Sequence, residues 1–246
     1  MKRPAACLAL LLLAWLSAAR AAEIENASPP IGPLGPAGAP ATAFPKPARP
    51  VAGIVADQWS TEEARDRYGE AEQAIRFLGI HPGMTVADIG AGRGYYTVRV
   101  ARAVGAAGRV IAEDVVPNYL AQLRQRVTRE HLANVALDLG EPHDPRLPRR
   151  SVDLVLMVHM YHEVAQPYGL LYNLLPAPRE SARVAVIDLE QPTGEHGTPR
   201  QLLRCEFRAL GFHETRWRWL HDKNEYIAVF EPPVRAISPE QIKPCK

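Results

Sequence analysis

From Asp57 onward, short apolar runs alternate with longer segments of helical pattern, and few folds accommodate this alternation. The run Val152–Val158 is apolar along nearly its whole length, which is typical of a strand buried on both faces of a parallel sheet. Parallel strands are joined by crossover helices, so the pattern predicts an α/β fold in three layers. We predict seven strands, near residues 84–89, 109–113, 135–139, 152–158, 182–189, 212–220 and 225–231.

The segments between these runs carry helix signals. Ser60 and Glu63 form a capping box that opens a helix ending near Leu78, and Pro117 suits the first position of another helix. The turn Asp222-Lys223-Asn224 joins the last two strands as a hairpin, which makes the final pairing antiparallel. The expected fold is a Rossmann-like, doubly wound, mostly parallel seven-stranded sheet with a C-terminal antiparallel hairpin. Further helices are predicted near residues 94–104, 117–131, 168–175 and 199–210.

The N-terminus has the layout of a secretory signal peptide. Lys2 and Arg3 precede an uncharged stretch at residues 4–19, and Ala19-Arg20-Ala21 fits a cleavage site, so we predict a signal over residues 1–21. The stretch is shorter than the roughly 20 residues that span a bilayer. We therefore expect export to the periplasm and no stable membrane span after cleavage. The alternative is an uncleaved segment that anchors the chain to the inner membrane.

Cleavage changes the charge of the chain. The full sequence of 246 residues has a formal net charge of +2. Removal of residues 1–21 deletes three basic residues and no acid, which leaves a net charge of −1. A near-neutral chain gives no electrostatic support for a nucleic-acid partner, and we expect none.

Residues 22–56 are predicted to be a linker. Eight prolines lie between Ser28 and Pro50, so we expect a semi-extended, largely disordered spacer before a domain at residues 57–233. Residues 234–246 form a C-terminal tail. The processed chain keeps Cys205 and Cys245, and their spacing alone does not decide whether they pair.

The loop after the first predicted strand carries the strongest functional signal. Asp88 ends that strand, and Gly90, Gly92 and Gly94 alternate through the turn into a helix. Glycines allow a backbone to approach a ligand closely, and a helix N-terminus offers free N–H groups. Asp114 ends the next strand, about 20 residues later, where an acid accepts ribose hydroxyls.

These residues resemble the class I S-adenosylmethionine-dependent methyltransferases, and the chain looks most similar to the type 11 and ubiquinone/menaquinone-type small-molecule branch. The resemblance rests on residues 88–94, 108–114, 140–142 and 151–156, and it covers about residues 60–231. It implies S-adenosyl-L-methionine as methyl donor and a small-molecule acceptor, which the sequence does not identify. The implied cofactor-binding residues are Asp88, Gly90, Ala91, Gly92, Gly94, Asp114, Glu141 and His159.

A nicotinamide- or flavin-binding turn is the alternative interpretation of the glycine loop. Its spacing is GxGxG, because Tyr95 occupies the place of the third glycine of GxGxxG. Asp88 is also unexpected beside a pyrophosphate, whereas it suits the amino group and sulfonium of S-adenosylmethionine. Two other functions stay open: a catalytically silent S-adenosylmethionine- or nucleoside-binding protein of the cell envelope, and a nicotinamide-dependent oxidoreductase.

The segment after the fourth strand is expected to meet the methyl acceptor. His162 and His159 are candidate general bases, and Tyr161 is a candidate for orienting the acceptor. Alternatively, His159 lines the cofactor through its backbone and His162 caps the next helix. A third interpretation is a metal set of His159, His162 and Glu163, but the sequence is not HExxH, and we expect no metal.

The loop Gln191–Pro199 follows the fifth strand and contains His196 between Gly194 and Gly197. This composition suits either a mobile lid over the acceptor or an ordinary surface loop without a function.

Overall fold

The computed structural model describes residues 32, 34–55, 61–220 and 224–245. The predicted signal peptide, the predicted N-cap Ser60 and the turn residues Asp222 and Lys223 lie outside these ranges. The described residues form one seven-stranded sheet and six α-helices. The strands are β1 (Thr85–Ile89), β2 (Arg109–Asp114), β3 (Val135–Leu139), β4 (Val152–Val158), β5 (Pro178–Leu189), β6 (His213–Trp219) and β7 (Glu225–Glu231). The helices are α1 (Glu62–Arg67), α2 (Glu70–Leu78), α3 (Tyr95–Val104), α4 (Pro117–Arg129), α5 (Pro167–Leu174) and α6 (Arg200–Ala209).

The sheet has the strand order β3-β2-β1-β4-β5-β7-β6. The pairings from β3 through β5 are parallel, and β7 pairs antiparallel with both β5 and β6. This arrangement confirms the predicted doubly wound sheet with its antiparallel hairpin. The order reverses between β1 and β4, and ligands bind at such a switch point in open α/β sheets.

The core lies on both faces of the sheet. One face packs around residues such as Leu78, Val100 and Leu123, and the opposite face packs around Tyr168 and Phe207, all of them fully buried or nearly so. Because both faces are covered, the central strands need apolar side chains in both directions, and this requirement explains the unbroken apolar runs.

The first predicted helix is wrong in one respect. The chain forms two helices, α1 and α2, because Gly69 between them adopts a left-handed φ of 63° that an α-helix does not allow. The Thr61 side chain caps α1 by accepting a hydrogen bond from the Ala64 N–H at 3.2 Å. The other element boundaries agree with the sequence to within a few residues, and β5 starts earlier than expected, at Pro178.

Residues 34–55 are packed against the domain, which corrects the expectation of a disordered spacer for this part of the chain. Arg49 forms an ion pair with Glu206 at 2.9 Å, and both side chains are almost fully buried. Phe44 is buried and its ring lies 5.2 Å from that of Tyr172. The prolines leave this segment without an α-helix, apart from one short 3₁₀ turn at Ala41–Ala43, but an extended chain still reaches partners on a neighbouring surface. We call residues 34–55 the N-terminal strap.

The C-terminal tail is also attached to the domain. A disulfide joins Cys205 in α6 to Cys245, and the Cys245 N–H donates a hydrogen bond to the Tyr168 hydroxyl at 2.8 Å. Within the described ranges, no helix is both long enough and apolar enough to cross a bilayer.

Candidate active site

A cavity of about 320 Å³ opens at the switch point, where the carboxyl ends of β1 and β4 meet. Most of the residues that line it come from the loops after β1, β2, β3 and β4. Ile54 and Val55 of the strap also line it. Parallel strands end at the same edge of a sheet, so residues far apart in sequence converge here.

The glycine loop wraps one end of the cavity. Gly90, Gly92 and Gly94 have φ values of 67°, 55° and 88°, a region that favours glycine. A Cβ on Gly90 would lie 2.9 Å from Cγ of Met160, so the loop also needs glycine for space. Gly90, Ala91 and Gly92 line the cavity as predicted. Gly94 is not among the described residues that line the cavity and faces Leu123 of α4, so its predicted contact with the cofactor stays a prediction.

Asp88 lies at the floor of the cavity and is only 2% exposed. The Thr97 hydroxyl donates a hydrogen bond of 2.6 Å to its carboxylate. Burial raises the pKa of Asp88 to about 6, and the negative charge of Asp114 adds to this effect. A cationic ligand beside Asp88 would offset both causes and favour the ionised carboxylate.

Asp114 is held in place by backbone N–H groups. Its carboxylate accepts hydrogen bonds of 2.8 Å from Gly92 and from Val116, so the loop and the strand end orient it toward the cavity. Glu113 beside it is also buried, and burial raises its pKa well above the usual range. Burial also raises the pKa of Asp114, but backbone hydrogen bonds from Val116 and Gly92 oppose this effect, so Asp114 is the better candidate for a charged ribose acceptor.

Glu141 and Pro142 line the cavity at the end of β3. Glu141 is exposed, and its backbone pairs with that of Asp144 in an isolated β-bridge. The side chain therefore has room to turn toward a ligand, and its predicted contact with an adenine stays a prediction.

His159 lines the cavity directly after β4, with a left-handed φ of 50° that is uncommon for a residue with a Cβ. Its Nε2 lies 2.8 Å from a carboxylate oxygen of Glu225 and 3.7 Å from one of Glu70. Burial lowers the pKa of His159, but the hydrogen bonds to the two carboxylates outweigh burial and raise the pKa to about 9. The two carboxylates thus favour the protonated imidazolium, a form that cannot accept a proton, and the role of His159 as a general base stays a prediction.

Sequence reasoning missed the ionic cluster around His159. Arg65 donates hydrogen bonds of 2.6 and 2.8 Å to Glu70, and its guanidinium lies 3.8 Å from the centre of the Tyr95 ring. The Tyr96 hydroxyl donates to the same Glu70 carboxylate at 3.1 Å. These residues come from α1, α2 and α3, and no local pattern in the sequence connects them to the loop after β4.

Tyr161 and His162 are fully buried, and neither is among the described residues that line the cavity. The Tyr161 ring packs against Phe207 and under the guanidinium of Arg49. His162 Nδ1 lies 3.0 Å from Asp188 Oδ1. The short 3₁₀ turn after β4 rotates both side chains into the core, so the predicted direct contact of these two residues with an acceptor is wrong in this structure.

Part of the cavity lining is apolar. Met160, Val164 and Leu170 contribute to it, together with Ile54 and Val55 from the strap. Glu163 also lines the cavity, and its Oε1 accepts a hydrogen bond of 2.9 Å from the Val55 N–H. The cavity therefore combines carboxylates with an apolar lining to which the strap contributes.

Residues 86–175 match the family model described as a methyltransferase domain. The chain is 31% identical over 118 residues to the arsenite methyltransferase of Halobacterium salinarum, which covers 47% of this chain and 29% of that protein. It is 27% identical over 134 residues to the 2-phytyl-1,4-naphtoquinone methyltransferase of Trichormus variabilis, which covers 50% of this chain and 55% of that protein. The chain thus spans about half or less of the length of these curated relatives.

Comparison with solved structures also finds similarity to methyltransferases. The crystal structure of a SAM-dependent methyltransferase from Aquifex aeolicus superposes with a TM-score of 0.63 at 25% sequence identity, over 68% of this chain and 91% of that chain. The sequence similarities cover the strands and loops that build the cavity, and the structural similarity extends over most of the domain. The family match over residues 86–175, the curated relatives and the fold together support a class I S-adenosylmethionine-dependent methyltransferase domain.

Proposed function

We propose that the chain binds S-adenosylmethionine in this cavity and transfers its methyl group to a small organic acceptor. The observation that carries the proposal is that Asp88, Asp114 and the glycine loop all line one cavity, with Asp114 hydrogen-bonded to Gly92 of that loop. Asp114 is oriented to accept ribose hydroxyls, and the carboxylate of Asp88 suits the cationic part of the cofactor. A nicotinamide cofactor would instead bring its pyrophosphate close to Asp88.

The apolar lining favours an acceptor with a hydrophobic body. In methyl transfer the acceptor attacks a methyl carbon already activated by the sulfonium, and S-adenosylhomocysteine leaves as the C–S bond breaks, so the protein contributes mainly proximity and orientation. The naphthoquinone methyltransferase among the relatives is named for an acceptor of this kind. Arsenite is less favoured, because Cys205 and Cys245 are tied together in a disulfide and neither offers a thiol.

Cofactor binding is tested by calorimetry with S-adenosylmethionine and S-adenosylhomocysteine. We expect Asp114→Asn to weaken both ligands at least tenfold, because a buried charge-assisted acceptor is lost. Asp153→Asn is the matched control, since Asp153 pairs with Arg179 on the surface and is not among the described cavity residues. Preferential binding of a dinucleotide, or equal affinity in the two variants, would contradict the proposal.

Turnover separates an enzyme from a silent binding protein. The chain is incubated with methyl-labelled S-adenosylmethionine and either a cell-envelope extract or a set of reduced quinones. We expect S-adenosylhomocysteine and a labelled small molecule in equal amounts. Tight binding of the cofactor without any turnover would favour the catalytically silent alternative.

We propose further that the chain is exported to the periplasm. The predicted signal peptide supports this location, and so does the disulfide, since disulfides persist in oxidising compartments. Fractionation of cells and N-terminal sequencing of the purified protein test it. A mature N-terminus at Ala22 in the periplasmic fraction is the expected result, and retention in the cytosol with reduced cysteines would contradict it.

A further inference from the structure

We propose that His162, Glu163 and His196 bind a divalent transition metal ion of the zinc class at the edge of the cavity. Each of these residues offers one ligand atom, and the three atoms lie within 4.8 Å of one another. Two imidazoles and one carboxylate form a ligand set that holds zinc and leaves one coordination position open. This set differs from the three residues that the sequence suggested, because His196 takes the place of His159.

His162 is oriented as a metal ligand is. Its Nδ1 lies 3.0 and 3.2 Å from the two carboxylate oxygens of Asp188, and both residues are fully buried. A carboxylate on one ring nitrogen sets the tautomer and makes the other nitrogen, here Nε2, the ligand atom. Asp188 is itself held by the Thr198 hydroxyl, which donates at 2.7 Å. The chain therefore supplies both a candidate ligand and the outer partners that orient it.

His196 reaches the same place from the loop after β5. It adopts a left-handed φ of 61°, and its ring meets that of His162 edge-on with the ring centres 5.5 Å apart. Two imidazoles on one tetrahedral ion have centres roughly 5 Å apart, given Zn–N distances of about 2.0 Å. Small side-chain rotations would complete the site. None of the described residues of this loop lines the cavity.

Glu163 connects the proposed site to the cavity and to the strap. It lines the cavity, and its Oε1 accepts the hydrogen bond from the Val55 N–H. The Thr193 hydroxyl of the His196 loop also donates to the Pro50 carbonyl of the strap at 2.8 Å. An ion at this point would join three segments that no continuous element connects: the turn after β4, the loop after β5 and the strap.

A second group with metal-ligating side chains, Glu70, His159 and Glu225, is less suited to a metal. His159 Nε2 already lies 2.8 Å from Glu225, and the two carboxylates favour the protonated ring. A protonated imidazole has no lone pair for a metal. This group is better described as an ion-paired cluster, and it provides the comparison site for the experiment.

The experiment uses the full chain without an affinity tag, stripped with a chelator and dialysed. Zn²⁺ is titrated against a chromophoric chelator, and Co²⁺ is titrated while its visible absorption is recorded. We expect one equivalent of either metal and cobalt bands of a low-coordinate nitrogen and oxygen site. His196→Gln and Glu163→Gln should weaken Zn²⁺ by more than the roughly 10–100-fold that loss of an outer partner costs, and Asp188→Asn by about that amount.

His213→Gln is the matched control, because His213 is an exposed histidine on β6. Circular dichroism and thermal melting of each metal-free variant confirm that the fold is retained. The proposal is overturned by an absence of stoichiometric binding to the folded chain. It is equally overturned if binding survives His196→Gln, or is lost only in Glu225→Gln, which would move the metal to the His159 cluster.

Discussion

His159 Nε2 and Glu225 Oε1 lie 2.8 Å apart at the end of the cavity, although the two residues are 66 positions apart in sequence. Glu70 approaches the same imidazole from α2, Asp188 approaches Nδ1 at 4.0 Å from β5, and Arg65 is paired with Glu70. The cluster favours a cation next to the proposed methyl donor, at a position where one interpretation of the sequence placed a general base.

The ionisation of His159 makes stability depend on pH. Its pKa is about 9 in the folded chain against about 6.5 in an unfolded one. The stabilisation of the fold by protonated His159 is therefore complete below pH 6.5 and is lost as the pH rises toward 9. We expect the free energy of unfolding to fall by on the order of 2 kcal/mol between pH 6.5 and 9.5, measured by urea denaturation. His159→Gln should remove most of this slope, and an unchanged slope in the variant would contradict the assignment.

Gly94 is required for the packing of the glycine loop against α4. Its φ is 88°, and a Cβ would lie 2.3 Å from Cδ1 of Leu123. We expect Gly94→Ala to lower the free energy of unfolding by about 1–3 kcal/mol. Gly53→Ala is the control, because no heavy atom lies within 4 Å of its added Cβ and its φ is not in the left-handed region. Equal denaturation midpoints for the two variants would show that α4 adapts to the extra methyl group.

The Arg49–Glu206 pair attaches the strap to the domain. Both side chains are almost fully buried, and Arg49 also donates to the Tyr161 carbonyl at 3.3 Å. Arg49→Met leaves a buried carboxyl without its partner, so we expect a loss of about 3–5 kcal/mol and faster proteolysis within residues 34–55. Arg235→Met changes an exposed arginine and should leave both measurements unchanged. If protease cuts the strap equally fast in the wild type, Arg49→Met and Arg235→Met, the ion pair does not hold the strap to the domain.

The disulfide should stabilise the chain measurably. Cys205 and Cys245 enclose a segment with a sequence separation of 40 residues. A link across such a loop typically contributes about 2–4 kcal/mol. We expect reductant to lower the thermal midpoint of the wild type to that of the double variant Cys205→Ser/Cys245→Ser, and not to affect the double variant. A wild type that is insensitive to reductant, with no free thiols before treatment, would leave the stabilisation unsupported.

Most of the sheet was predictable because its signals are local. The apolar run of β4 and the glycines after β1 reflect burial on two faces and a left-handed turn, and both requirements act on consecutive residues. The one wrong helix also has a local cause: Gly69 interrupts a pattern that otherwise continues from α1 into α2. A glycine inside a helical pattern does not reveal by itself whether the helix continues through it.

The sequence by itself determined where the strands of the sheet lie and where the glycine loop follows β1. It also located Asp88 and Asp114, the two acids that line the cavity. Only the tertiary structure decided which way Tyr161 and His162 point, because a short 3₁₀ turn has no periodicity that separates core from cavity. It also decided the charge of His159, which depends on carboxylates brought by α2 and β7. Ionisation and side-chain direction arise from contacts between distant segments, and such contacts exist only once the sheet has assembled.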